Sequence, residues 1–168
     1  REGQTLPEVA PIMYNDTKKR WDENIDFPWE IIKYNWNCYW DTTKELLLEK
    51  SPPNIIRALS IEKVFSPCYF ICMVRNPDAH CESIIRKSNI SISDAAHFSL
   101  LCLKYQKNNL QRLKNTLLIS YEEMVESTDK AKEKLTFFLP SLYDISFKGK
   151  FAAANFSGKK LEIQNFNQ

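Results

Sequence analysis

The chain has 168 residues, enough for one domain with its own core, and its 43% hydrophobic and 26% charged content is that of an ordinary globular protein. A net charge of +2 argues against a nucleic-acid partner, and no apolar run approaches the roughly 20 residues of a membrane span. The polar, proline-punctuated start has no signal-peptide pattern, and an odd set of five cysteines points to free, buried thiols in a reducing, cytoplasmic compartment.

Residues 1–20 show no periodicity and are expected to be extended or loop. In DFPWEIIKYNWNCYWDTTKE, Trp29, Ile32, Trp36 and Tyr39 or Trp40 recur at helical spacing, with Asp26 available as a cap and Pro28 suited to the first turn. ELLLEK, Glu45 to Lys50, reads as a short buried strand, and SPPNIIRALSIEKVF restarts as a helix. CYFICMV, Cys68 to Val74, is the strongest strand pattern in the chain.

Asn76 and Pro77 then form an N-cap and first helical position, for a helix running to about Lys87. SISDAAHFSLLCLKYQKNNLQRLKN reads as a long helix with Phe98, Leu101, Cys102 and Tyr105 on one face. TLLIS is a third strand, and TDKAKEKLTFFL an amphipathic helix through Ala131, Leu135 and Phe138. A loop follows Pro140, and SGKKLEIQNF offers a short C-terminal helix. Short apolar strands alternating with helices predict an α/β fold with a mainly parallel sheet, as one domain over residues 1–168.

Ligands of open α/β sheets bind beyond the carboxyl ends of the strands. Those ends carry Glu49-Lys50-Ser51, Arg75-Asn76 and Ser120-Tyr121-Glu122. An arginine at a strand end, followed by a helix N-terminus, brings a fixed cation beside free backbone N–H groups, which suits a phosphate. On the helix that follows, Ala79, Ser83 and Arg86 fall within an arc of roughly 60°, opposite Cys81, Ile84 and Ile85. Ser83 lies roughly 10 Å along the axis from the cap, so an anion touching Arg75 and Ser83 lies along the helix flank. The same residues admit a plainer arrangement, with Ser83 and Arg86 facing water and Arg75 paired with a carboxylate. With only His80 and His97 and no ligand spacing, no metal site is expected.

RNPDAHCES, with its Arg at a strand end, then Pro, then Ser, resembles the 3'-phosphate-binding motif of sulfotransferases that use 3'-phosphoadenosine 5'-phosphosulfate (PAPS). LLLEKSPPNIIRAL is similar to the Glu-Lys-Ser/Thr-Pro segment of carbohydrate and tyrosylprotein sulfotransferases. VFSPCYFICMV and LLISYEEMVESTDKAKEKLTFFLPSL resemble the flanking strands, turn and helix, so the likeness covers Leu46 to Leu142. It implies a three-layer α/β sandwich like that of the P-loop nucleotide kinases, and transfer of a sulfuryl group from PAPS to an acceptor hydroxyl, as of a carbohydrate. Adenosine 3',5'-bisphosphate is then the product.

Carried over, Arg75 and Ser83 hold the 3'-phosphate, with Arg86 beside them. Lys50 stands near the transferring group, and Glu49 orients it or acts as base. Asp22, Glu23 and Glu30 are the other candidate bases. Lys148, Lys150 and Lys159 fall where the family has a basic loop over the nucleotide, while Tyr121 and Glu122 read as structural. The aromatic-rich segment from Trp21 to Trp40 lines an acceptor cleft or fills the core. One departure stands out: nothing from Arg1 to Glu49 matches the family's Pro-x-(Arg/Lys)-Ser-Gly-Thr-Thr loop for the 5'-phosphosulfate. The expectation is a truncated domain lacking the fold's first strand, loop and helix. The rival readings are a nucleotide-binding or interaction module without catalysis and a kinase-like nucleoside-triphosphate enzyme.

Overall fold

The computed structural model describes residues 2–147 together with 151–152 and 160–161. The start of the chain is not loop but a series of short turns: a 3₁₀ turn at Gly3–Thr5, then α1 (Ala10–Met13) and α2 (Thr17–Trp21). Leu6, Val9 and Met13, spaced three and four apart, are all buried. Such short helices owe their stability to packing and not to propensity, so the sequence carries little local sign of them.

α3 (Trp29–Tyr39) follows the predicted spacing, with Trp29, Ile32 and Trp36 buried. Pro28, not Asp26, occupies its cap position, and it stops short of Glu45. The run Glu45–Lys50 is not a strand. Leu48 is 83% exposed, and among the described residues no strand lies alongside to complete a ladder. Ser51–Phe65 divides at Arg57 into a 3₁₀ turn, Pro52–Ile56, and α4 (Ala58–Val64). Arg57 is buried. Its guanidinium donates to the carbonyls of Lys19, Arg20 and Asp22 at 3.1, 3.1 and 2.7 Å and lies 4.3 Å from the Phe27 ring centre. It thereby closes the end of α2, whose last carbonyls have no partner within the helix.

β1 (Phe70–Val74) and β2 (Thr116–Ser120) form a two-stranded parallel sheet. The connection between them is α5 (Pro77–Ser88) followed by α6 (Ile92–Arg112), a right length for a parallel crossover. α5 ends at Asn89, whose left-handed backbone (φ 49°) an asparagine tolerates. The buried line of α6 is Ala95, Ser99, Asn109 and Leu113, whereas Leu101 is exposed and Phe98, Cys102 and Tyr105 are half-buried. The predicted face was therefore misplaced. Ser99 and Asn109 can be inside because each has a partner there, His80 Nδ1 at 3.0 Å and the Ile55 carbonyl at 2.7 Å.

β2 leads directly into α7 (Tyr121–Glu126) and α8 (Thr128–Phe138), and α8 buries Ala131 and Leu135 as its pattern requires. In the last stretch, Lys160–Leu161 is a strand, β4, paired antiparallel with β3 (Phe151–Ala152), where a helix was expected. The rest of SGKKLEIQNF lies outside the described residues, as do Lys148, Lys150 and Lys159.

The chain thus mixes helices with a short parallel sheet, compatible with a small α/β fold. The chain divides into two units, one from the residues up to Phe70 with Leu101–Thr116, the other from Ile71–Leu100 with the residues from Leu117 on. The first has its core in Leu6, Val9, Met13, Phe27, Trp29, Ile32, Trp36 and Ile61. The second packs Ile119, Ala131 and Leu135 with Leu117, Met124 and Leu142. Among the described residues no helix is long and apolar enough to cross a membrane.

Candidate functional site

The second unit contains the Arg75 site. β1 alternates half-buried Phe70, Cys72 and Val74 with exposed Ile71 and Met73, and so delivers Arg75 at its carboxyl end. Asn76 then caps α5 as its sequence predicts: its side-chain oxygen accepts from the N–H groups of Asp78 at 2.9 Å and Ala79 at 3.2 Å. Here the structure corrects one expectation. The N–H groups that were to face a phosphate are already committed to the cap, which leaves Arg75 as the donor.

Arg75 lies with its guanidinium carbon 4.7 Å from the centre of the Tyr121 ring, and its Nε is buried with no hydrogen-bond partner among the described residues. Nor does any described carboxylate pair with it. The acidic group beside it in the sequence pattern, Glu122, instead accepts the backbone N–H of Asn76 at 2.9 Å. Tyr121 thus backs the cation and Glu122 fixes the turn that follows it. Ser120 Oγ accepts from the Glu123 N–H at 3.0 Å, capping α7 so that Tyr121 starts it. Glu123 itself is bound to Lys134, which holds its carboxyl below the usual range.

Ser83 is half-buried, and its hydroxyl has no hydrogen-bond partner among the described residues. Arg86 has one: it reaches Glu82 at 3.4 Å on the exposed side of α5. His80, which sequence reasoning considered only as a metal ligand, shares α5 with Ser83 and has its Nδ1 3.0 Å from Ser99 Oγ. It lies about 60° around α5 from Ser83 and one turn nearer the cap. Burial first, and the charge of Arg75 second, hold its pKa below the ordinary 6.5. Its signal was available in sequence, as the residue three before Ser83 on the same helix.

Glu49 and Lys50 belong to the first unit, and both are committed there. Glu49 Oε1 accepts from the Gly3 N–H at 2.8 Å and from Ser51 Oγ at 2.5 Å, and its other oxygen accepts from Asn54 Nδ2. Lys50 Nζ pairs with Glu2 at 2.7 Å. Burial opposes ionisation of Glu2, but hydrogen bonds from Lys50 and Gln4 outweigh it and hold the carboxyl below its usual value. Of the other candidate bases, Asp22 accepts from the Asn24 backbone at 2.9 Å, and Glu23 and Glu30 are exposed.

In the aromatic segment Trp29 and Trp36 are core and Trp40 packs against them; Trp36, Tyr39 and Trp40 also border a cleft of ≈ 260 Å³ with Leu48 and Glu49. All five cysteines are free, with Cys38 exposed and the others half-buried. Burial pushes the thiols of Cys68, Cys72 and Cys102 up, which disfavours reactive thiolates. Among the described residues no cluster of His, Cys, Asp and Glu has the makings of a metal site. Comparison with family models, with curated proteins and with solved structures finds no match to this chain.

Proposed function

We propose that the Arg75 site binds the 3'-phosphate of an adenosine nucleotide, and that the chain is part of a PAPS-dependent sulfotransferase with a P-loop nucleotide-kinase-like α/β sandwich. The observation that carries the reading is a half-buried guanidinium, braced by Tyr121, whose buried Nε has no partner among the described residues while Glu122, the residue after Tyr121, is engaged with the Asn76 N–H. An orphaned donor of this kind costs about 1–3 kcal/mol, which a bound phosphate oxygen recovers. Ser83 adds a hydroxyl along the same helix, and Arg86 adds positive charge at its far end once free of Glu82.

PAPS supplies the sulfuryl group, which passes to an acceptor hydroxyl of a carbohydrate or similar molecule. This chain's residues fit the 3'-phosphate end of that nucleotide. For the reactive end they offer Lys50, whose ammonium would balance charge as the S–O bond breaks, provided it leaves Glu2. Glu49, with both oxygens hydrogen-bonded, serves as a structural tie and not as a base in this arrangement.

That commitment of Glu49 and Lys50 favours a second reading: a nucleotide-binding module without turnover. Calorimetry with adenosine 3',5'-bisphosphate and adenosine 5'-monophosphate tests what both readings share. The bisphosphate binds more tightly, Arg75→Ala weakens it about ten- to hundredfold, and Ser83→Ala weakens it by less than tenfold. Equal binding of the two nucleotides, or indifference to Arg75→Ala, overturns the assignment. A sulfuryl-transfer assay with PAPS then separates enzyme from module.

A further inference from the structure

We propose that His80 completes the anion site of Arg75 and Ser83 as a third, proton-linked ligand. The inference rests on the phosphate reading above and deepens it. Its geometric basis is the anchoring of the imidazole. His80 Nδ1 and Ser99 Oγ lie 3.0 Å apart, and Ser99 is only 2% exposed. Among the described residues that hydroxyl has no other hydrogen-bond partner. Ser99 engages Nδ1 in either charge state: it donates to the neutral ring, whose own proton then sits on Nε2, and it accepts from the charged ring. The ring is thus locked as a donor from the nitrogen that Ser99 does not touch, on the turn of α5 just before Ser83. Arg75, His80 and Ser83 all offer donors, and none is spent on a carboxylate.

The charges around His80 run the same way. The charge of Arg75 at the strand end acts on it unfavourably, and from α6 it meets the uncharged Ser99. On its own helix Asp78 and Glu82 are exposed, and Glu82 is paired with Arg86. With Arg75 unneutralised and the ring partly buried, the free protein keeps His80 neutral near pH 7. An anion on Arg75 cancels that repulsion and adds attraction, so the ring takes up a proton as the anion binds, with Ser99 turned to accept. By linkage, binding strengthens as pH falls towards the ordinary histidine value.

The test follows the His80 ring signals by NMR from pH 8 to 5, with and without adenosine 3',5'-bisphosphate, for the wild type and Arg75→Ala. Calorimetry of the wild type and His80→Gln runs over the same range. Comparing the two proteins removes the phosphate's own titration near pH 6. The expected result is an upward move of the His80 midpoint on binding, absent in Arg75→Ala, and an affinity gain from pH 8 to 6 that is about three- to tenfold larger in the wild type than in His80→Gln. Arg75-dependent binding with an unmoved His80 midpoint and equal pH slopes overturns the role of His80 and leaves the phosphate site standing. Absence of bisphosphate binding at every pH overturns both.

Discussion

A methyl group at Gly3 would come 2.6 Å from the indole nitrogen of Trp36 and 3.0 Å from Glu49 Oε1. The indole is rigid and 98% buried by its own neighbours, with Trp36 at 2% exposure, so it cannot swing aside as a lysine tip would. Gly3 also donates its N–H to Glu49, and Glu49 in turn holds Ser51 and Asn54. One small residue therefore lets the start of the chain close over α3 and fixes the segment that carries Lys50. Gly3→Ala is expected to destabilise the first unit by about 1–3 kcal/mol, the usual cost of overpacking. Urea denaturation followed by tryptophan emission measures it. A midpoint equal to that of the wild type would show that the chain start lifts away from Trp36 at no cost.

The turn from β1 into α5 depends on a single side chain. Asn76 satisfies the open N–H groups of Asp78 and Ala79, Pro77 has none to satisfy, and Glu122 in turn accepts the N–H of Asn76. Asn76→Ala should cost about 1 kcal/mol of stability in the second unit, whereas Asn76→Asp, an equally good cap, should cost much less. Thermal melting of both variants by circular dichroism decides it, and two identical losses would place the effect outside capping. This element was legible in sequence because every part of it is local: alternation in β1, the Asn-Pro start, and an apolar side on α5. The misreadings share the opposite property. Leu46, Leu47 and Leu48 look like a strand, but a strand exists only beside another, and apolar composition says nothing about the neighbour. The inward face of α6 depends on Ser99 and Asn109 finding His80 and the Ile55 carbonyl, 19 and 54 residues away. His80 itself was passed over because its partner, Ser99, reaches it only once α5 and α6 pack.

The molecule's response to acid should differ between its two units. In the second, His80 has a folded pKa below the ordinary 6.5. The unfolded chain therefore binds that proton first, and the stability present above about pH 6.5 drains away as pH falls towards the folded value. In the first unit the shifted group tied across the chain is Glu2, held below the ordinary 4.5 once the opposing effect of its burial is outweighed by Lys50 and Gln4. Its contribution is complete above about pH 4.5 and is lost only as pH falls through its lower folded pKa. All four tryptophans, Trp21, Trp29, Trp36 and Trp40, lie in the first unit, so their emission reports that unit alone. Between pH 6.5 and 4.5, melting seen by circular dichroism should move to lower temperature in its second-unit component while melting seen by tryptophan emission stays in place. His80→Gln should remove that early loss and leave the later one, because glutamine has no proton to take up. If the emission midpoint instead falls in step with the dichroism from pH 6.5 downward, the two units melt as one, and the proton on His80 is felt by the whole chain.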